Sequence, residues 1–358
     1  MEDPADFWYQ KEDELLMRRK AYIYPITAFE EKTIPNPYLE NLMNSFSHEV
    51  DFVNMLLPSN KGILDLVKFY KKIDLLFLNW IEELPDKKGG LVQVLFFIIL
   101  VRLLKGRKVP VIWTMHNKLS HYQTHTRVKK FMFRFLIRRC DFIITHSTEG
   151  IRYAGEYGVR NYARKMRYFP HPLENRMIKF KESPVQDILI WGSVIPYKNI
   201  DGFLDYLHEN GMENRYRIRI FGKVKPSEYE EVIKPFCNSS IILDNRFIPQ
   251  DELEGLVAES RTIIFTHAGE YVLSSGALMD SLSYGATVFG PHIAAFRDAY
   301  EAGLIQTFQS FGELVELLDQ SIQSPRNQND LIAPFINENN WSQFAKKAMT
   351  WIKEEEKR

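Results

Sequence analysis

Ser274, Ser275 and Gly276 open the stretch SSGALMDSLSYGATVFGP (274–291), whose residue types and spacing suit recognition of an anion. Two serines and a glycine ahead of a helical pattern predict a helix N-terminus. Hydroxyls, unsatisfied backbone N–H groups and the positive end of the helix dipole converge there, and the natural guest is a phosphate. Asp280 follows on the same helix, where a carboxylate behind a phosphate cradle suits a ribose hydroxyl pair. Gly285 then closes the helix before the apolar run ATVFG. Taken alone, the segment also fits a well-capped helix with a surface aspartate.

Several other segments share one grammar. In ILIWGSVIPYKNI (188–200) an apolar strand ends at Gly192 and Ser193, and Lys198 stands near the start of the next helix. The strand IRIFG ends at Gly222, the strand near 241–243 runs into Arg246, Phe247 and Ile248, and TIIFTH (262–267) precedes Glu270. His116, Asn117 and later His121 follow the strand PVIWTM. Ligands of open parallel sheets bind outside the carboxyl ends of the strands, so the residues of the second half predict one cleft.

The elements that would position these groups alternate along the chain. Strands are expected at 21–26, 50–56, 74–80, 110–116 and 141–147, with helices around 37–47, 62–71, 91–106 and 125–139. The pattern resumes with strands near 188, 218, 241, 263 and 287. Such alternation predicts parallel sheets wrapped by helices on both faces. A chain of 358 residues exceeds one ordinary core, and the proline-bearing stretch 168–184 interrupts the periodicity. We therefore expect an N-terminal domain over 1–175, a C-terminal domain over 176–339, and a closing amphipathic helix over 340–358 that packs back onto the first. LVQVLFFIILVRLL (91–104) is too short to span a bilayer and reads as a buried, sheet-flanking helix.

Lysine plus arginine equal aspartate plus glutamate at 46 each, which excludes bulk attraction to nucleic acid, and no recognition motif accompanies the local basic runs. Cys140 and Cys237 lack metal-ligand spacing and fit a reducing compartment. No signal-peptide pattern opens the sequence, so a cytoplasmic protein is expected. Local clusters survive the balanced total. HTRVKKFMFRFLIRRC interleaves six cations over 127–139 with aromatic and aliphatic residues. It suits peripheral docking to an anionic membrane on the inner face of the cell membrane, or an ordinary helix with one solvated basic side.

TMHN (114–117), DFIITHS (141–147), YFPHP (168–172), ILIWGSVIPYKNI, RIRIFGK, NRFIPQDEL and SSGALMDSLSYG together resemble the GT-B nucleotide-sugar glycosyltransferases, in particular the large retaining family that builds bacterial polysaccharides and glycolipids. The resemblance implies two Rossmann-like domains facing across a cleft, the acceptor on the first and the donor on the second. It implies that Gly192, Ser193, Lys198, Ser274, Ser275 and Gly276 serve the donor diphosphate, that Gly222 belongs to the donor site, that Arg246, Phe247 and Ile248 lie beside the base, and that Asp280 holds the ribose. His116 and Glu270 become the catalytic candidates, with Asn117 and His121 on the acceptor side. Two departures stand out. Ser193 follows Gly192 where many relatives have an arginine, and Val272 occupies the place of the first acid of the family's pair, leaving Glu270 as the nearest carboxylate.

The implied reaction is transfer of a hexosyl residue from a UDP- or GDP-linked sugar to a glycan acceptor, lipid-linked, in surface polysaccharide synthesis. Charge grows on the leaving phosphate as the sugar becomes oxocarbenium-like, and helix amides with one lysine can meet it without a metal or cofactor. His116 can equally be a loop-stabilising histidine, and Glu270 a solvated loop acid. Two alternatives to transfer remain: a sugar epimerase or phosphorylase on the same fold, and a non-catalytic membrane-surface partner with a degenerate donor cleft.

Overall fold

In the first half of the chain, short apolar runs become the strands β1 (Arg19–Tyr24), β2 (Val50–Phe52), β3 (Leu75–Asn79), β4 (Val111–Met115), β5 (Phe142–Thr145) and β6 (Met166–Tyr168) of one parallel sheet, ordered β2-β1-β3-β4-β5-β6. Every residue of β3, β4 and β5 is buried, as expected of strands covered on both faces. The computed structural model that shows this describes residues 18–26, 37–55, 61–118, 124–269, 272–323 and 330–358. The chain divides into two units, Met1–Pro170 with Trp341–Arg358, and His171–Asn340.

Alternation along the strands assigns each face of the first sheet a partner. Ile23, Phe77, Ile112 and Ile144 meet the Pro37–Phe46 helix and the C-terminal Trp341–Glu356 helix in one cluster. Trp113 faces the other way, its ring centroid 5.5 Å from that of Phe133 on the Thr126–Arg139 helix. Fully burying one such side chain stabilises the fold by about 1.5–3 kcal/mol. The C-terminal helix buries Phe344, Ala348, Trp351 and Ile352, and Glu356 pairs with Arg19 on β1 at 2.9 Å.

The run LVQVLFFIILVRLL departs from expectation. It forms the Gly90–Gly106 helix, but only Val94, Phe97, Ile98, Leu100, Val101 and Leu104 of the run are buried. Leu91, Val92, Leu95, Ile99 and Leu103 are 48–70% exposed. A sheet covers only one side of a helix laid upon it, and the other side here faces outward.

The second unit holds β7 (Gln186–Trp191), β8 (Ile218–Phe221), β9 (Ile241–Asp244), β10 (Ser260–Ile264), β11 (Val288–Pro291) and β12 (Gln306–Phe308), ordered β12-β11-β10-β7-β8-β9 and all parallel. Ile188 and Ile190 join one core cluster and Leu189 the other, so this sheet too is buried on both faces. The chain runs outward from β7 to β9, then returns to lay β10 on the opposite side of β7. That reversal leaves a crevice at the carboxyl ends of β7 and β10, the place where open α/β sheets receive ligands.

Candidate functional site

At the end of β7 the chain turns through Gly192 at φ +91°, and at the end of β8 through Gly222 at φ +153°. A Cβ on Gly222 would sit 1.8 Å from the Gly192 carbonyl oxygen, so no side chain fits there. The two turns are laced together: Gly192 N–H donates to the Phe221 carbonyl at 3.0 Å and Val194 N–H to the Lys223 carbonyl at 3.0 Å. A Cβ on Gly192 would lie 3.2 Å from Lys198 Nζ, so the missing side chain leaves room for that ammonium.

Lys198 comes from a single 3₁₀ turn, Pro196–Lys198, and is 8% exposed. Its Nζ donates to the Trp191 carbonyl at 3.4 Å. Burial pulls its pKa down from 10.5 to about 8, because the charged form loses hydration in this niche. The segment after β10 fixes the same turn from the other side: the Thr266 hydroxyl donates to the Lys198 carbonyl at 2.6 Å and Ala268 N–H to the Tyr197 carbonyl at 3.1 Å. Ser193, beside this lysine, is exposed.

The Gly276–Ser283 helix begins close by, tied to β7 by Trp191 Nε1 donating to Ser281 Oγ at 3.0 Å. Ser275 caps it, its hydroxyl oxygen accepting from Leu278 N–H at 3.2 Å. The Gly276 and Ala277 amides have no carbonyl behind them within the helix, and Gly276 is exposed. Ser274 is partly buried. Val272 is 6% exposed within the protein and offers no carboxylate. Glu270 lies outside the described residues.

Asp280 stands on the second turn of this helix, its side chain 45% exposed. Loss of hydration among the surrounding protein raises its pKa to about 6, against the lowering effect of Arg176 and with a smaller rise from Glu174. Arg176 Nη1 lies 3.4 Å from Asp280 Oδ1 while Nε donates to Glu174 Oε2 at 2.9 Å. Arg176 N–H donates to the Ser283 carbonyl at 3.1 Å, holding the arginine against the helix. Its position after a proline-rich stretch carried no motif, and sequence reasoning missed it.

Beyond β9, the Arg246 guanidinium lies 4.5 Å from the Phe221 ring centroid and pairs in two places with Glu252. Phe247 is 58% exposed and Ile248 partly buried. The carboxyl edge of the second sheet thus gathers Gly192, Ser193, Lys198, Gly222, Arg246 and the 274–280 segment.

His116 and Asn117 belong to the first unit, at the carboxyl end of β4. His116 is 3% exposed and lies flat on Trp80, with centroids 4.2 Å apart and an interplanar angle of 16°. The Tyr38 ring meets it edge-on at 4.6 Å. His116 Nε2 is 3.1 Å from Asn79 Oδ1, and Asn79 Nδ2 donates to the Tyr24 carbonyl at 3.4 Å. That second bond orients the amide with its oxygen toward the imidazole. An imidazole proton on Nε2 would satisfy that oxygen. Trp80 holds the left-handed region at φ 47°, a conformation that costs an L-residue about 1–2 kcal/mol. His146 behaves otherwise: Nδ1 donates to the Phe169 carbonyl at 2.9 Å and Nε2 faces the Tyr38 hydroxyl at 2.8 Å, a structural role. His121 lies outside the described residues.

Nearby, Lys118 and Glu149 form an ion pair at 2.8 Å with both side chains under 10% exposed. Among the described residues, no group of three or more His, Cys, Asp or Glu side chains is placed to hold a metal ion, and no helix is long and apolar enough to cross a membrane.

No protein-family model matches the sequence, and no curated protein matches it. Solved structures do. The chain is similar to HepE from Anabaena in complex with UDP, with TM-score 0.66 and 11% identity over 94% of this chain and 100% of that one. It is similar to the apo form of the lipopolysaccharide outer core galactosyltransferase WaaB, with TM-score 0.65 and 13% identity over 94% and 99%. AviGT4, a glycosyltransferase involved in avilamycin A biosynthesis, aligns with TM-score 0.60 and 11% identity over 93% and 96%. Side chains diverge at such identities while strand order and winding persist, and by these the chain has the GT-B fold of glycosyltransferases.

Proposed function

We propose that the chain is a glycosyltransferase that moves a hexosyl residue from a UDP- or GDP-linked sugar to a lipid-linked glycan acceptor in bacterial surface polysaccharide synthesis. The observation that carries this reading is the buried Lys198 ammonium over Gly192, at the switch point of a sheet that also presents the Ser275-capped helix. A buried cation and helix-start amides at the carboxyl edge of one sheet suit the charge of a diphosphate. The structural neighbours include proteins solved with UDP and with UDP-glucose, which supports a nucleotide-sugar donor.

In this reading the diphosphate lies against Gly192, Ser193, Lys198, Ser274, Ser275 and the Gly276 amide, and Gly222 clears its approach. Arg246, Phe247 and Ile248 border the base, with Phe247 offering a ring face, and Asp280, steadied by Arg176, accepts from the ribose hydroxyls. As the bond from the anomeric carbon to the β-phosphate oxygen breaks, charge gathers on a phosphate already facing a cation and amides, so no metal is needed. The acceptor oxygen bonds to the anomeric carbon and its proton departs. His116 serves the transferred sugar or that proton, and Asn117 serves the acceptor. The roles proposed for Glu270 and His121 rest on sequence alone. The stereochemical reading, retention, rests on the family resemblance.

We place the protein in the cytoplasm, peripheral on the membrane through the basic 127–139 segment. Calorimetric titration of UDP- and GDP-sugars, followed by donor hydrolysis and acceptor mass shift, tests the proposal. One donor should bind and be consumed, and Lys198→Ala should weaken it by roughly 10- to 100-fold without lowering the unfolding midpoint. Absence of binding by any nucleotide sugar would favour the non-catalytic alternative, and isomerised free sugar an epimerase.

A further inference from the structure

The Gly90–Gly106 helix is apolar nearly all round, yet the protein covers only one side of it. Leu91, Val92, Leu95, Ile99 and Leu103 are 48–70% exposed, and at 100° per residue they fall within an arc of about 120° and a length of about 18 Å. A stripe of this kind on a surface helix normally turns inward. Left outside, it marks an interaction surface.

The charges around the stripe select the partner. Between Lys87 and Lys108 there is no Asp or Glu, whereas Lys87, Lys88, Arg102, Arg107 and Lys108 are exposed, in a chain whose total charge is zero. The neighbouring Thr126–Arg139 helix also lacks acids and exposes Arg127, Lys130 and Arg134 beside Phe131. The two helices adjoin, for Arg102 lies 6.0 Å from the ring centroid of Phe135, and Phe97 lies 6.2 Å from the same ring. Neither helix has an acid in its first turn, and Lys87, Lys88 and Arg127 stand near helix starts, where the macrodipole favours negative charge. Asp86, the acid beside these starts, is engaged by Lys129 and by the Thr124 hydroxyl at 2.7 Å, so the exposed cations are left to attract external anions. A second copy does not supply them, because two-fold pairing of this helix would set its basic ends against each other.

We infer that the Gly90–Gly106 helix lies in the plane of an anionic lipid bilayer, with the Leu95–Ile99 face entering the acyl boundary and the cations of both helices meeting headgroup phosphates. The inference deepens the proposed peripheral docking: the apolar insertion comes from this helix, and the 127–139 segment supplies charge only.

Full-length protein is co-sedimented with phosphatidylcholine vesicles with and without phosphatidylglycerol. Binding should require phosphatidylglycerol and weaken with salt. Leu95→Ser with Ile99→Ser should lower the partition coefficient by about tenfold or more, with the unfolding midpoint and vesicle-free donor hydrolysis unchanged. Leu95→Trp should blue-shift its emission on adding anionic vesicles. Wild-type-like binding by the double serine variant, with binding lost only in Arg127→Glu with Arg134→Glu, would overturn the inference and leave electrostatic docking standing. A lipid-free dimer that the serine variant dissociates would overturn it in favour of a second copy. No vesicle binding would overturn the docking reading as well, while donor hydrolysis independently reports on the transferase reading.

Discussion

At the carboxyl end of β4, His116 is boxed in by Trp80, Tyr38 and Asn79; at the carboxyl end of β7, Gly192 has no side chain and the Lys198 ammonium occupies the space above it. Both sheets are parallel and buried on both faces, but they furnish their carboxyl edges in opposite ways. The first uses large side chains that fix one another's orientation. The second uses positive-φ glycines, amides at a helix start and one desolvated cation. Backbone groups placed by tight turns move little as charge develops, which suits a diphosphate. A packed imidazole of fixed orientation suits a proton or a sugar hydroxyl.

The comparison breaks most severely at Gly222. A Cβ there meets the Gly192 carbonyl oxygen at 1.8 Å, and that carbonyl is backbone and cannot swing aside. Gly222→Ala should cost roughly 3 kcal/mol or more and abolish nucleotide-sugar binding, whereas Gly276→Ala, with nothing within 4 Å of the new methyl, should keep the unfolding midpoint. Chemical denaturation of the two variants checks this. Equal stability would mean that the second site does not depend on its backbone turns.

His116 gives the next largest effect, in the other half. His116→Gln keeps volume but loses the imidazole, and should lower kcat on the order of 100-fold with donor affinity unchanged; His116→Ala should do the same and also destabilise the Trp80 stack. If both variants lose only stability, measured by thermal melts beside steady-state kinetics, His116 is a packing residue and the first site is structural.

How much of this was legible depended on what each element answers to. Strands such as ILIWG and DFIITHS announce themselves because double-sided burial demands unbroken apolar runs, and the 274–285 helix because caps and closing glycines are local chemistry. The three-residue edge strands β6 and β12 were missed: Met166–Tyr168 and Gln306–Phe308 are too short for a periodic signal. The outward face of the Gly90–Gly106 helix was misread because composition reports that residues are apolar, not what covers them. The partners of the predicted residues were invisible for the same reason. Trp80 and Asn79 lie 36 or 37 positions from His116, and Arg176 lies 104 from Asp280, so only the fold brings them together.

The mildest prediction sharpens the second site by proton linkage. In the ligand-free protein Lys198 has a pKa of about 8 and Asp280 of about 6. In the proposed donor site the phosphates would select the charged lysine, so affinity should fall above pH 8, by up to about tenfold per unit. Ribose hydroxyls select the ionised carboxylate, so affinity should fall, by a few-fold, below pH 6. A nucleotide sugar is the proper probe, because its diphosphate is esterified at both ends and lacks the monoester proton with pKa near 6. Lys198→Arg should flatten the alkaline limb and Asp280→Asn the acid limb. Arg176→Ala, by removing the cation that opposes desolvation, should move the acid limb upward without changing the alkaline one, which a merely structural arginine would not do. Isothermal titrations from pH 5 to 9 distinguish these cases, and a flat wild-type profile would detach both groups from the donor.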